Sequence, residues 1–171
     1  MSRKSMVIRF DMSEVLRNMG ILTNQIMPAK IKKGLERAGV ALMVDAVTDR
    51  YTVPIRRGKD GEPAYPPEDD REAGELRASG AVFVDGKKAK AMPREYWENA
   101  TGMYQPEVYG GASIKQNNHE ACIVFNAPYA AEQHEEWPTK TEPTAGTKYL
   151  GGKLSENAIK YIKIVASEMR L

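Results

Sequence analysis

The segment AVFVDGKKAK, residues 81–90, limits the choice of fold more than any other part of the chain. Four strand-forming apolar positions run into Asp85-Gly86, a two-residue pair suited to the positive φ angles of a tight hairpin turn. Lys87, Lys88 and Lys90 make the return strand polar, the composition of a sheet edge that resists unwanted strand addition. Two further strand candidates, EVYGGASIK (107–115) and EACIVFNA (120–127), are joined by QNNH, where Asn117-Asn118 suits a second tight turn. Strands linked this closely run antiparallel, because a parallel pair needs a crossover of about a dozen residues or more.

Helical periodicity brackets these hairpins. Ile31, Leu35, Ala38, Leu42 and Ala46 share one face of a helix predicted over 23–49, with Lys30, Lys32, Lys33, Glu36 and Arg37 on its remaining surface. Gly34 and Gly39 cost that helix propensity but let another backbone approach closely. Leu154, Ala158, Tyr161, Val165 and Met169 predict a terminal helix over 154–171. GELRASG (74–80) predicts a short helix closed by Gly80, SMVIRFD (5–11) a short strand, and Ser13 a cap for a turn over 13–20. The expected class is α+β: a small antiparallel sheet built from hairpins, with the long N-terminal helix and the C-terminal helix across one face. The 171 residues fit a single domain. Two loop arms interrupt it, a Pro/Gly-rich excursion at 50–72 and a polar stretch at 137–153.

Composition excludes several classes. Lys plus Arg is 25 against 23 for Asp plus Glu, too even for the overall basic excess of a nucleic-acid binder. No stretch approaches the roughly 20 apolar residues that span a bilayer, and acidic residues interrupt any N-terminal signal core. The lone Cys122 has no intrachain partner and fits a reducing compartment of synthesis.

QHEEW (133–137) gathers a histidine, two carboxylates and an indole, yet its spacing argues against chemistry. A zinc-protease helix needs a second histidine four residues after the first, and position 138 is proline. Cys122, His119 and His134 lack zinc spacing. Cys122 alternates with Val124 in a strand, where a cysteine acts as a small inert hydrophobe. Glu135-Glu136 reads as a solvated pair rather than a glycosidic acid and base. YGGAS lacks the Lys-Ser/Thr of a phosphate loop, and Gly151-Gly152 reads as a flexible junction before the last helix. Arg56-Arg57 and KKAK (87–90) read as a solvated loop and a solvated edge, without the interleaved aromatics of a single-strand binder. The expectation is a non-enzymatic chain with no cofactor and no metal. A small metal-dependent hydrolase using His134 and Glu135 is the remote alternative.

The order of segments carries more information than any one of them. A long helix leads through the excursion to GELRASGAVFVDG. A strand then ends in IVFNAPYAAEQHEEW, and TKYLGGKLSENAIKYI opens the final helix. This layout resembles the neck or tail-completion (head–tail joining) proteins of long-tailed bacteriophages, a family that includes minor capsid and tail-component proteins. The likeness rests on Leu76, Arg77 and Ser79 at the start of the sheet. It continues with Tyr129, Ala130 and His134 after the last long strand, and with Tyr149, Leu150 and Leu154 at the final helix. It covers roughly 24–50 and 74–170. The excursion is longer and more Pro-rich than the family's, and Gly151-Gly152 stands where the family has proline before the last helix.

The resemblance implies a structural virion protein of the neck, made in the bacterial host cytoplasm and forming a homo-oligomeric ring between the portal-bearing head and the tail. Six copies follow by analogy with tail symmetry, with twelve as the fallback. Its expected partners are head-side adaptor or stopper proteins and tail terminator, tube or sheath proteins, with no membrane. DNA passes through the lumen without sequence recognition. A tail terminator capping the tube is the alternative. Ring contacts are expected on the two loop arms, anchored by Arg56, Arg57, Tyr65, Trp97, Tyr104, Trp137 and Tyr149. The other use for each aromatic is to cap its own core.

Overall fold

The Asp85-Gly86 turn forms with φ of 49° and 79°, the positive pair that a two-residue hairpin uses. The structure is a computed structural model and describes residues 6–13, 26–48, 74–97, 100–107, 119–135 and 148–170. The turn joins β2 (Gly80–Val84) to β3 (Lys87–Ala91) in an antiparallel pair. A bulge opposite Val82 and Phe83 leaves Ala89 without a register partner, a common device for twisting an edge strand. β4 (Glu120–Phe125) pairs antiparallel with β2 on one side and with β1 (Met6–Asp11) on the other. The order β1-β4-β2-β3 leaves β3 at one edge.

The predicted long helix is α1 (Ile26–Thr48), and its whole predicted stripe is buried, from Ile31 to Ala46. It lies across the sheet against Val82, Val84, Ile123 and Phe125 in one apolar core. The last helix, α4 (Tyr149–Met169), runs antiparallel to it. Ion pairs mark the crossing: Asp45 meets Lys160 Nζ at 2.6 Å and the Tyr161 hydroxyl at 2.8 Å, and Glu168 takes Arg37 and Lys33. The α+β class is as expected.

Both helix glycines sit where another element comes close. A Cβ at Gly34 would stand 3.0 Å from the backbone Cα of Val165 in α4, and one at Gly39 would stand 2.7 Å from Val82 Cγ1 in β2. Gly39→Ala sets overpacking of about 1–3 kcal/mol against about 1 kcal/mol of gained helix propensity. We expect a net loss of about 1–2 kcal/mol, read as a lower urea midpoint at unchanged slope. A raised midpoint would show that Val82 yields.

Several local expectations are corrected. Gly80 does not stop a helix: α2 spans only Glu75–Ala78, Ser79 caps it, and Gly80 opens β2. A short helix that the periodicity did not show, α3 (Ala130–Glu135), follows β4. The final helix begins at Tyr149, so 148–153 belongs to no loop arm. Gly151 and Gly152 face open space and lie in its first turn. The burial of Tyr149 and Leu150 against the core outweighs their poor propensity. The backbone at Asn157 (φ −114°, ψ 17°) kinks the helix, which buries Lys153 and leaves Leu154 and Ala158 half exposed.

The face of the sheet opposite α1 is buried as well. Ala81, Phe83, Cys122 and Val124 form a second buried cluster, on the side opposite α1 by strand alternation. Both edges of β4 are taken, by β1 and by β2, which corrects the second hairpin expected between 107–115 and 120–127. The excursion at 50–72, the turn at 14–20 and residues 108–118 and 136–147 lie outside the described residues. No helix among those described is long and apolar enough to cross a membrane.

Candidate functional site

Three short segments that are far apart in sequence meet at one corner of the fold. The first is the α2–β2 junction. Ser79 Oγ donates to Leu76 O at 2.7 Å, which ties off the helix end, and Ser79 O accepts from Asn126 N at 3.3 Å just past β4. Asn126 Nδ2 donates to Tyr104 O at 3.1 Å. The second segment follows at once: Tyr129 sets its ring edge-on to Tyr104, and Ala130 starts α3 fully buried. The third is the start of α4. Lys148 N donates to His134 O at 2.7 Å, and the Tyr149 hydroxyl donates to Ala130 O at 3.3 Å. The His134 and Phe125 rings both stand edge-on to Tyr149, at 4.9 Å and 5.8 Å. Burial above all, then Tyr129 and Glu135, pushes the Tyr149 phenol far above its ordinary range.

His134 Nδ1 lies 2.7 Å from Glu135 Oε1, and its Nε2 is buried. Among the described residues no three His, Cys, Asp or Glu side chains come together as a metal site. Cys122 is buried in β4.

Among the expected ring anchors, Arg56, Arg57, Tyr65 and Trp137 lie outside the described residues. Tyr104 is half-buried. Trp97 and Tyr149 take the other use and cap this chain's own core. Trp97 Nε1 donates to Met92 O at 2.8 Å beneath the Arg94 guanidinium, and Tyr149 is 1% exposed. Neither offers a free face to a neighbour. Of the remaining motif positions, Leu76 and Leu150 are core, while Arg77 and Leu154 are half-buried.

An open seam lies elsewhere, between α1, β3 and α4. One groove of about 470 Å³ is edged by Lys32, Lys33, Lys87 and Lys88, with Glu36 and Asp85 among them. A second, of about 520 Å³, is lined by Val40, Ala41, Val44, Ala91, Pro93 and Ile164. Glu36 borders both. Asp85 fixes the basic end: Oδ1 accepts from Glu120 N at 3.2 Å, and Oδ2 faces Lys32 Nζ at 3.0 Å. Sequence reading assigned the lysines to a solvated surface and missed the apolar half. Val40 and Val44, one turn apart beside the main stripe, were the available signal.

Comparison of the chain with models of known protein families, with curated proteins and with solved structures finds no match.

Proposed function

We propose that the chain is a structural protein of a long-tailed phage neck, assembled as a ring that joins head to tail and passes DNA through its lumen. One observation supports this reading most. The three segments that resemble the family converge at a single corner through Ser79, Asn126, Ala130, His134 and Tyr149. Short motifs that match by chance have no reason to meet in space. The proposed partners are further copies of the chain, six by analogy with tail symmetry and twelve as the fallback. Head-side adaptor or stopper proteins lie on one side, and terminator, tube or sheath proteins on the other.

Mass spectrometry of purified virions, with electron microscopy of particles made without the protein, tests the role. The expected result is the chain in virions, and unjoined heads and tails in its absence. A chain missing from virions and from their assembly intermediates ends the proposal. Cross-linking that captures only tube proteins selects the tail-terminator alternative. Deletion of residues 56–70 is expected to leave cooperative unfolding intact and to block joining. Loss of cooperative unfolding would show that the excursion belongs to the core.

A further inference from the structure

We propose that the seam between α1, β3 and α4 receives residues 63–72 of a neighbouring copy, PAYPPEDDRE. This inference rests on the ring reading above. The apolar half of the segment, Pro63 to Pro67, covers Val40, Val44 and Ile164. The acidic half, Glu68 to Glu72, runs along Lys32, Lys87 and Lys88.

Charge and length both match. The two grooves together carry six cations, Lys32, Lys33, Arg37, Lys87, Lys88 and Lys90, against the three carboxylates Glu36, Asp45 and Asp85. The segment carries Glu68, Asp69, Asp70 and Glu72 against Arg71. From Ala29 to Asp45 the α1 wall is about 24 Å long at about 1.5 Å per residue. Ten residues of a proline-rich, extended chain reach about 31 Å at about 3.1 Å each, enough to follow it. Proline also pre-organises the segment, which lowers the entropy lost on docking. Existing partners on the seam are no barrier. Lys33–Glu168, Arg37–Glu168, Lys88–Glu107 and Lys90–Glu36 each have an exposed member, and surface pairs of this kind exchange at little cost. Lys32 keeps its contact with the buried Asp85 carboxylate, so the arriving acids are met chiefly by Lys87 and Lys88.

Reach favours a neighbour over the same chain. Thr48 ends α1 beside Asp45, and Gly74 leads through α2 into Gly80, whose carbonyl accepts from Met92 N after β3. Both ends of the chain's own excursion are thus anchored at the apolar end of the seam. With its own acids at the lysine end, the four residues from Asp70 to Gly74, about 14 Å at full stretch, would have to return over the same groove. Nucleic acid fits less well, since half of the seam is apolar and three carboxylates line it.

Two single variants of the full chain, Asp69→Cys and Lys88→Cys, are mixed at high protein concentration under oxidation. Native Cys122 is fully buried and does not compete. The expected product is a disulfide-linked heterodimer of the two variants. It should fall several-fold in about 1 M salt, where the screening length is about 3 Å. It should be weak when Lys163→Cys, on the exposed face of α4, replaces Lys88→Cys. Three outcomes overturn the proposal: yields no higher than with Lys163→Cys, a link formed only within a doubly substituted chain, or loss of the link to added duplex DNA. Rings seen by microscopy without the link reject the seam and leave the neck reading standing. The link in a chain that never enters virions rejects the neck reading and retains the seam as a self-association site.

Discussion

Glu75→Ala is expected to lower the unfolding free energy by about 2–3 kcal/mol, while Glu75→Gln costs under about 1 kcal/mol. Glu75 opens α2 and is 1% exposed. Its Oε1 accepts from Thr101 N and Thr101 Oγ1, both at 2.6 Å, and from Gly102 N at 3.0 Å. One carboxylate oxygen therefore holds the segment beside Trp97 onto the helix that feeds β2. Gln105 holds its other end, donating to the carbonyls of Ala78 and Gly80. Alanine strips the acceptor from three donors at once, and hydrogen bonds to a charged group are the stronger kind. Glutamine keeps an oxygen for those donors and puts its amide where Oε2 lies buried without a hydrogen-bond partner. Urea midpoints at constant slope measure the difference. Faster hydrogen exchange at Thr101 and Gly102 in Glu75→Ala alone would place the loss at this clamp. Equal costs for the two variants would show that the clamp does not hold the segment.

The parts of the fold that were legible in the sequence are those set by neighbours in the chain. Asp85-Gly86 specifies its turn locally, and the α1 stripe from Ile31 to Ala46 is a matter of helical period. Strand order is different. Nothing local tells β4 to pair with both β1 and β2, because those contacts are chosen by packing of the whole chain. The unbroken apolar runs AVFV and CIVF carry a signal of two-sided burial, which the second buried cluster bears out. The start of α4 shows propensity losing to tertiary packing. Gly151-Gly152 argues for a break, and the burial of Tyr149 and Leu150 overrides it. The candidate site divides along the same line. That Tyr129, Ala130 and His134 belong with Tyr149 and Leu150 could be expected only from a resemblance. Trp97 looked like an interface anchor because it sits in irregular chain, but irregular backbone does not make a side chain exposed. Its indole N–H finds Met92 O, and so the ring can be buried.

Tyr149 links that corner to a measurable pH dependence. Tyr149→Ala is expected to cost about 3–5 kcal/mol, because it empties a fully enclosed aromatic site between Phe125 and His134. Tyr149→Phe removes only the hydroxyl that donates to Ala130 O and is expected to cost about 1 kcal/mol. Burial, then Tyr129 and Glu135, raises the phenol above its ordinary value, which is about 10 in the unfolded chain. The folded state therefore favours the protonated phenol. Its contribution is fully present below pH about 10 and is lost as pH rises above that, where the unfolded chain sheds the proton that the folded chain retains. The stability gap between the natural chain and Tyr149→Phe should be constant through neutral pH. Above pH about 10 it should shrink by up to about 1.4 kcal/mol per pH unit. Urea denaturation of both proteins across that range measures the gap, and the other tyrosines cancel in the comparison. A gap that stays constant at high pH would mean the phenol ionises as easily folded as unfolded, and hence is not enclosed. Because the ring faces this chain's own core, Tyr149→Phe should still join heads to tails. A Tyr149→Phe protein as stable as expected but unable to join them would return Tyr149 to the ring interface.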